Sequence, residues 1–318
     1  MKLNYCTLFD SGYMTRGLTL YNSLLKQTRN FHLYIVAFDE PAFKTLSLLK
    51  LKYATIISLS EFENKKLLKI KSQRTWGEYC WTCSSSTILY CINTFKLSNC
   101  TYLDADTYFF DDPKKLIDKM GKNSVLITRH NYAKQYDKSK LSGIYCVQFV
   151  TFKNDKNGMK VLKWWVNACI KWCFNRCEDG KFGDQKYLDD WPKKFEGVYV
   201  LDDLGGGVAP WNAIRFVAKK SADKILLIEM GTDLKIRLNF YHFHDLRVYK
   251  FMDKLLFISN KNLAYDIPFS IKHLIYCDYY KSYINSHKAL KTVYQNTDNR
   301  LEGLRSYINN YLQKYLGI

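Results

Sequence analysis

No stretch of the 318 residues approaches the run of roughly 20 apolar residues that a membrane-spanning helix requires. The opening residues MKLNYCTLFDSGYMTRG hold neither the apolar segment nor the small-residue cleavage site of a secretory signal, so the expected setting is cytoplasmic. There is no internal repeat and no low-complexity linker, which argues against an array or a pair of independent domains. Acidic residues are scarce relative to basic ones, 30 against 48, for a net charge of +18. The lysines are nevertheless spread from Lys2 to Lys314 without a stripe or a nucleic-acid motif. No specific nucleic-acid partner is expected, and the charge favours an anionic partner such as a nucleotide donor or a membrane surface. Ten cysteines are present, but the Cys80/Cys83 pair lacks a second converging pair to complete a zinc site. Cys169, Cys173 and Cys177 fall at helical spacing and are expected to line a buried helix face as small hydrophobes.

What is present suffices for a full core, since 47% of residues are hydrophobic. Short apolar runs alternate with helical patterns, which predicts an α/β fold. Expected strands are Leu3–Phe9, His32–Phe38, Thr55–Leu59, Thr101–Leu103, Ser124–Thr128, Ile144–Phe152, Val198–Leu201, Ile225–Glu229 and Leu238–His242. Leu18, Tyr21, Leu24 and Leu25 share a helix face, Ser60 with Glu63 suggests a capping box, and Pro113 suits a helical first turn. From Ile271 onward the pattern is helical and basic. A basic amphipathic helix of this kind suits peripheral contact with an anionic inner-membrane surface, and equally suits packing on the body of the protein.

The segment TYLDADTYFFDD carries the chemistry. Side chains two apart on an extended backbone leave on one side, so Asp104 and Asp106 can converge beyond a strand end, a donor pair suited to Mg²⁺ or Mn²⁺ shared with phosphate oxygens. The bland alternative is an acidic surface turn. Asp104-Ala105-Asp106-Thr107 also matches the nucleophile motif of haloacid-dehalogenase-type phosphatases, with Gly183-Asp184 and Asp189 imitating the later acidic motif. That match lies in the wrong context, because an α/β half precedes Asp104 and no apolar strand precedes Asp184. The turn Asp10-Ser11-Gly12 follows the first strand without forming a GxGxxG fingerprint. The ends of the two strands, near Thr7–Asp10 and Asp104–Asp106, would flank one site if they share a sheet.

In order along the chain, Thr7-Leu8-Phe9, Glu78-Tyr79-Cys80-Trp81-Thr82, Tyr102-Leu103-Asp104-Ala105-Asp106, Gly183-Asp184-Gln185, Pro210-Trp211-Asn212 and His242-Phe243-His244 resemble a GT-A-fold glycosyltransferase. The likeness is to the glycogenin and lipopolysaccharide galactosyltransferase family and related bacterial nucleotide-diphospho-sugar transferases, over about residues 1 to 250. It implies a Rossmann-like mixed sheet flanked by helices, and a retaining transfer of a hexose from a UDP-sugar to a glycan or lipid-linked glycan acceptor. Residues 1–265 would form one catalytic domain, with 1–112 binding the nucleotide and 113–265 the sugar and acceptor, followed by a helical extension over 266–318. By the same resemblance Thr7, Leu8 and Phe9 line the base and ribose, while Asp104, Ala105 and Asp106 meet the diphosphate. Asp104 and Asp106 hold Mn²⁺ or Mg²⁺ together with a histidine of the late segment, His242 fitting better than His244. Asp184 binds sugar hydroxyls and Gln185 sits near the anomeric carbon.

Two departures from the family pattern stand out. Cys146-Val147-Gln148 replaces an Asn-small-Gly strand start, and the Lys-Pro-Trp expected after the late histidine is missing, leaving Arg247 or Lys250 as phosphate contacts. Read without the resemblance, His242 and His244 are packed histidines sharing a strand face, and Asp189 and Asp190 are solvated carboxylates as readily as general bases. Trp191 and Trp211 are core aromatics as readily as sugar platforms.

Overall fold

The computed structural model describes residues 3–232, 234–251, 254–259 and 264–294. Its centre is a seven-stranded sheet built from β1 (Leu3–Phe9), β2 (Phe31–Ala37), β3 (Ala54–Ser58), β4 (Asn99–Leu103), β6 (Val125–Arg129), β7 (Tyr145–Lys153) and β8 (Val198–Val200), in the order β3-β2-β1-β4-β7-β6-β8. The strands β1 to β4 run parallel, and β7 lies antiparallel between β4 and β6. Six of the seven residues of β1 and of β2 are buried, as expected of parallel strands covered on both faces.

The helices that cover the sheet follow from local sequence. The helix α1 (Met14–Gln27) crosses over between β1 and β2. The long helix α2 (Trp76–Thr94) starts at a capping box in which Thr75 Oγ1 meets the Glu78 backbone amide and the Glu78 carboxylate accepts from the Thr75 amide. It packs with α3 (Lys156–Lys171), which Asp155 caps through the Gly158 amide. Trp165 and Trp191 meet edge to face at 5.3 Å beneath this layer, so Trp191 is a core residue with no exposure rather than a sugar platform.

Two further sheets adjoin the central one. The short strands β5 (Thr107–Phe109), β9 (Gly206–Val208) and β13 (Phe240–His242) form one, with β13 in the middle. The strands β10 (Phe216–Ser221), β11 (Lys224–Glu229) and β12 (Lys235–Arg237) form the other. A hairpin of β14 (Arg247–Phe251) and β15 (Lys254–Ile258) follows.

All nine expected strands are present, Leu3–Phe9 with its expected bounds and the other eight shifted by one or two residues at an end. Some smaller expectations change. Ser58, not Ser60, caps the short helix Leu59–Phe62 by accepting from the Glu61 amide, because Glu63 already lies past its end. Pro113 does open the helix Lys114–Asp118. Of the three spaced cysteines only Cys169 is helical; α3 ends at Lys171, after which Cys173 is buried off the helix and Cys177 is exposed.

The chain beyond Pro268 turns helical and ends its described course in α4 (Cys277–Lys291). Ile271, Ile275, Tyr276, Tyr279, Tyr283 and Leu290 are all buried. Phe243 stacks on Tyr279 at 3.8 Å, and Asn22 of α1 donates to Ser286 at 3.0 Å. The apolar face formed by these residues packs against the core, while Phe269 at the start of the segment is 81% exposed. Leu301, Leu304, Ile308 and Leu312 lie outside the described residues. Among the described residues no helix is long and apolar enough to cross a membrane.

Candidate active site

The acidic pair is set by the turn that joins β4 to β5. Leu103 is the last residue of β4, and the chain reverses through Asp104-Ala105-Asp106, with the Thr107 amide and hydroxyl both donating to the Asp104 carbonyl at 3.1 and 2.8 Å. The Asp104 amide is fixed in turn by donation to the Gln148 carbonyl on β7 at 3.1 Å. Because β5 pairs with β13 in a register that puts Thr107 opposite His242, the histidine arrives beside the pair from 135 residues further along the chain. The Phe243 amide locks this register by donating to the Asp106 carbonyl at 2.9 Å.

The resulting triad is compact. His242 Nε2 lies 3.1 Å from Asp106 Oδ1 and 3.9 Å from Asp104 Oδ2, and one donor atom from each of the three residues falls within 4.8 Å of the others. The other ring nitrogen, Nδ1, is 2.8 Å from Gln148 Oε1, an amide oxygen that only accepts. Nδ1 therefore carries hydrogen, and in the neutral ring Nε2 presents its lone pair to the carboxylates. Gly207, at φ +134°, lets the backbone pass over this contact, since a Cβ there would sit 2.8 Å from Gln148 Nε2. Two carboxylates and an imidazole that share one point match the donor set of Mn²⁺ or Mg²⁺ completed by phosphate oxygens, so the residues fit the ion.

Electrostatics support the same reading. Burial raises the Asp104 carboxyl to about 6, with His242 lowering it and Asp106 raising it further. Burial also opposes ionisation of Asp106, but the charge and hydrogen bond of His242 overcome it and hold that carboxyl far below its ordinary value. His242 is raised well above its ordinary value: burial works against its charge, and the Asp106 carboxylate outweighs it. In the metal-free protein a proton shared among three groups occupies the place that suits a cation. A fourth group, Asp184, is pushed up to about 7 by burial and by the charge of Asp104.

These residues form the floor of a cleft of about 630 Å³ at the carboxyl ends of β1 and β4. Leu8, Phe9, Asp104, Ala105, Asp106, Asp184, Gln185, His242 and His244 all line it. Thr7 does not: it lies further back from the end of β1 and is completely buried. Ser84 of α2 lines the cleft with Asp184 and helps lower its carboxyl, while the Asp184 carbonyl accepts from Trp165 Nε1 at 2.9 Å. The Gln185 amide donates to the Ser142 carbonyl at 2.8 Å across the cleft rim. Arg247 lies in β14 with Nη1 3.3 Å from the Leu246 carbonyl and does not line the cleft. The side chain of Lys250 lies outside the described residues. Asp189 also stays out of the cleft, since it accepts from the Ile144 amide at 2.7 Å and pairs with Lys186 at 2.9 Å.

Several contributors were not singled out as site residues from sequence. Gln148, noted only as a departure from a family pattern, stands behind His242. Trp76 reaches the rim and donates to Asp10 Oδ2 at 2.8 Å. His130 stacks on Tyr132 at 4.6 Å, and Trp211 packs edge-on against both His130 and His242, forming an aromatic wall with Tyr265. Burial pushes His130 down to about 3, so its ring is neutral. Lys138 completes that end of the cleft. Trp76 lies just before the quoted helix segment and Trp81 within it, whereas His130, Tyr132 and Lys138 sit in a loop without a pattern.

No family model matches the chain. Among curated proteins, YfnF of Bacillus subtilis (strain 168), described as uncharacterized, is 31% identical over 256 residues, covering 78% of this chain and 83% of that protein. YfnD of the same organism, also described as uncharacterized, is 27% identical over 247 residues, with 76% of each chain covered. Among solved structures, the galactosyltransferase LgtC in complex with donor and acceptor sugar analogs aligns with 96% of this chain and 100% of its own at a TM-score of 0.50 and 10% identity. At that identity the likeness is one of fold. The mixed sheet, its strand-end cleft and its flanking helices are of the GT-A type.

Proposed function

The chain belongs to the family of the Bacillus subtilis protein YfnF, and on that premise and the cleft geometry we propose that it is a metal-dependent glycosyltransferase. It takes a hexose from a nucleotide diphosphate donor, a UDP-sugar, and transfers it to a glycan or lipid-linked glycan acceptor with retention of configuration. The observation that carries this reading is the Asp104, Asp106 and His242 constellation at the carboxyl end of β4, with the histidine tautomer set by Gln148.

Mn²⁺ or Mg²⁺ held there would supply positive charge to the departing diphosphate. The chain's own residues do the rest. Leu8 and Phe9 at the end of β1 offer an apolar seat for the base, with Trp76 beside them. Asp184 and Ser84 together provide an acceptor and a donor for sugar hydroxyls. Gln185, neutral and polar, lines the cleft and would face the anomeric carbon, stabilising positive charge there without becoming a strong nucleophile. The wall of Tyr132, Trp211 and Tyr265 would seat the acceptor, since ring faces suit the apolar side of a sugar. On this reading residues 1–112 form the nucleotide half, 113–265 the sugar and acceptor half, and 266–318 an extension. The setting is cytoplasmic.

The dehalogenase-type phosphatase reading is not favoured. Asp104 and Asp106 face a histidine from β13 rather than forming a nucleophile and acid pair alone, and β7 runs antiparallel beside β4. Turnover of candidate substrates separates the two. UDP release from a UDP-hexose that stops with EDTA supports the transferase, while orthophosphate release from a phosphomonoester with no UDP release would replace it.

A further inference from the structure

The metal triad leaves a charge problem. Asp104 and Asp106 together neutralise a divalent ion, so the negative charge of a bound diphosphate needs a separate cation. Arg16 does not line the cleft: its guanidinium lies 4.4 Å from the Tyr13 ring centroid and donates Nη2 to the Leu246 carbonyl, and its charge helps hold the Asp106 carboxyl down. Arg247 does not line the cleft. Among the described residues, Lys138 is the one lysine or arginine that does.

The segment that carries Lys138 connects β6 to β7 and is tied down on both sides. Tyr136 Oη donates to Asp266 Oδ2 at 3.0 Å and accepts from the Asp266 amide at 2.8 Å. On the other side the Ser139 carbonyl accepts from Lys186 Nζ and the Ser142 carbonyl accepts from Gln185 Nε2, each at 2.8 Å. The short helix Ser139–Ser142 ends at Gly143, whose φ of +102° turns the chain back into β7. Lys138 itself forms no ion pair among the described residues; its Nζ lies 5.8 Å from the Tyr265 ring centroid at the cleft mouth. The loop thus presents an exposed ammonium, with no carboxylate partner among the described residues, to a cleft whose acidic groups would be engaged by the ion.

Building on the transferase reading, we propose that Lys138 is the cationic contact for the donor's diphosphate, supplied from the β6–β7 loop rather than from the strand after His242. It donates its N–H groups to phosphate oxygens as a point charge, which holds the donor and favours departure of UDP. Arginine keeps the charge at this position and glutamine removes it with little change in bulk.

Calorimetry on the full chain with Mn²⁺ tests the assignment, using uridine and UDP as probes on the parental protein, Lys138→Gln and Lys138→Arg. The expected result is a loss of about tenfold or more in UDP affinity for Lys138→Gln, with uridine affinity unchanged and Lys138→Arg close to parental. Parental UDP affinity in Lys138→Gln would overturn the assignment, including the case in which only the KM for an acidic acceptor rises, which would move Lys138 to the acceptor side. If the parental protein itself binds no UDP with Mn²⁺, the transferase reading fails and this inference with it. Because Lys138 is exposed, its replacement leaves the core untouched.

Discussion

Gln148 Oε1 lies 2.8 Å from His242 Nδ1, and this contact decides which side of the imidazole faces the acidic pair. An amide oxygen cannot donate, so one hydrogen stays on Nδ1 and Nε2 is the nitrogen turned to Asp106, where it carries the second hydrogen in the charged ring and a lone pair once that proton gives way to a metal. Replacing Gln148 with Leu keeps the buried volume but frees the ring to rotate or change tautomer. Mn²⁺ affinity measured by calorimetry is expected to fall about 10- to 100-fold while circular dichroism stays parental, in line with the weight of residues that orient metal-binding histidines. Unchanged affinity would show that the tautomer is fixed by something else.

The two aspartates should separate fold from function. Asp104 is ionised at a cost, since burial raises its carboxyl to about 6. In metal-free protein at pH 8, Asp104→Asn is expected to melt at or above the parental temperature while losing metal-dependent UDP binding. Asp106 is different, because its charge sustains that of His242. Asp106→Asn should lose the same binding and also bring the His242 titration down, visible in the histidine ring resonances. A parental His242 titration in Asp106→Asn would contradict the pairing.

Stability without metal should fall as pH rises from 5 to 8. Asp104, at about 6, and Asp184, at about 7, hold protons in the folded protein that an unfolded chain releases nearer 4, so each favours the fold less as pH climbs through that window. His242 acts in the same direction: raised in the folded state, its contribution is full below about 6.5 and is lost as pH passes its folded value. Asp106, depressed, opposes this only in strong acid. Thermal melts in EDTA should therefore decline across the window, and Mn²⁺ should flatten the decline by taking the place of the protons. A flat or rising profile in EDTA would mean that the buried groups do not share their protons as described.

Gln185→Ala is expected to reduce turnover at least tenfold with little change in donor affinity, because its proposed contact strengthens at the reacting carbon. Asp184→Ala should weaken both, since a hydroxyl contact acts on the bound donor as well. The split between kcat and KM for a UDP-hexose checks the pair. Parental turnover in Gln185→Ala would remove that residue from the site.

Much of this was legible because it is local. Nearly continuous apolar runs along Leu3–Phe9, Phe31–Ala37 and Tyr145–Lys153 mark strands buried on both faces, and the acidic pair stands directly after the β4 run that ends at Leu103. The elements left unread are short or amphipathic in neither period. Thr107–Phe109 and Gly206–Val208 form strands only because Phe240–His242 fills the space between them. That tertiary pairing is also what brings His242 to the aspartates, and what makes Gln148 its partner from a third strand. The β6–β7 loop was opaque for a similar reason: Tyr136, Ser139 and Ser142 are held by Asp266, Lys186 and Gln185, which lie remote in sequence. Trp191 and Trp211 look alike as letters, and only packing sends one into the core and the other to the cleft.

The central claim is that Asp104, Asp106 and His242 form a metal site that holds a nucleotide diphosphate. Calorimetric titration of UDP into the parental protein with Mn²⁺, with EDTA, and into Asp104→Asn and Asp106→Asn with Mn²⁺ tests it most directly. The account predicts binding in the first case and none in the other three. Equal UDP affinity in EDTA, or parental affinity in both variants, would contradict it.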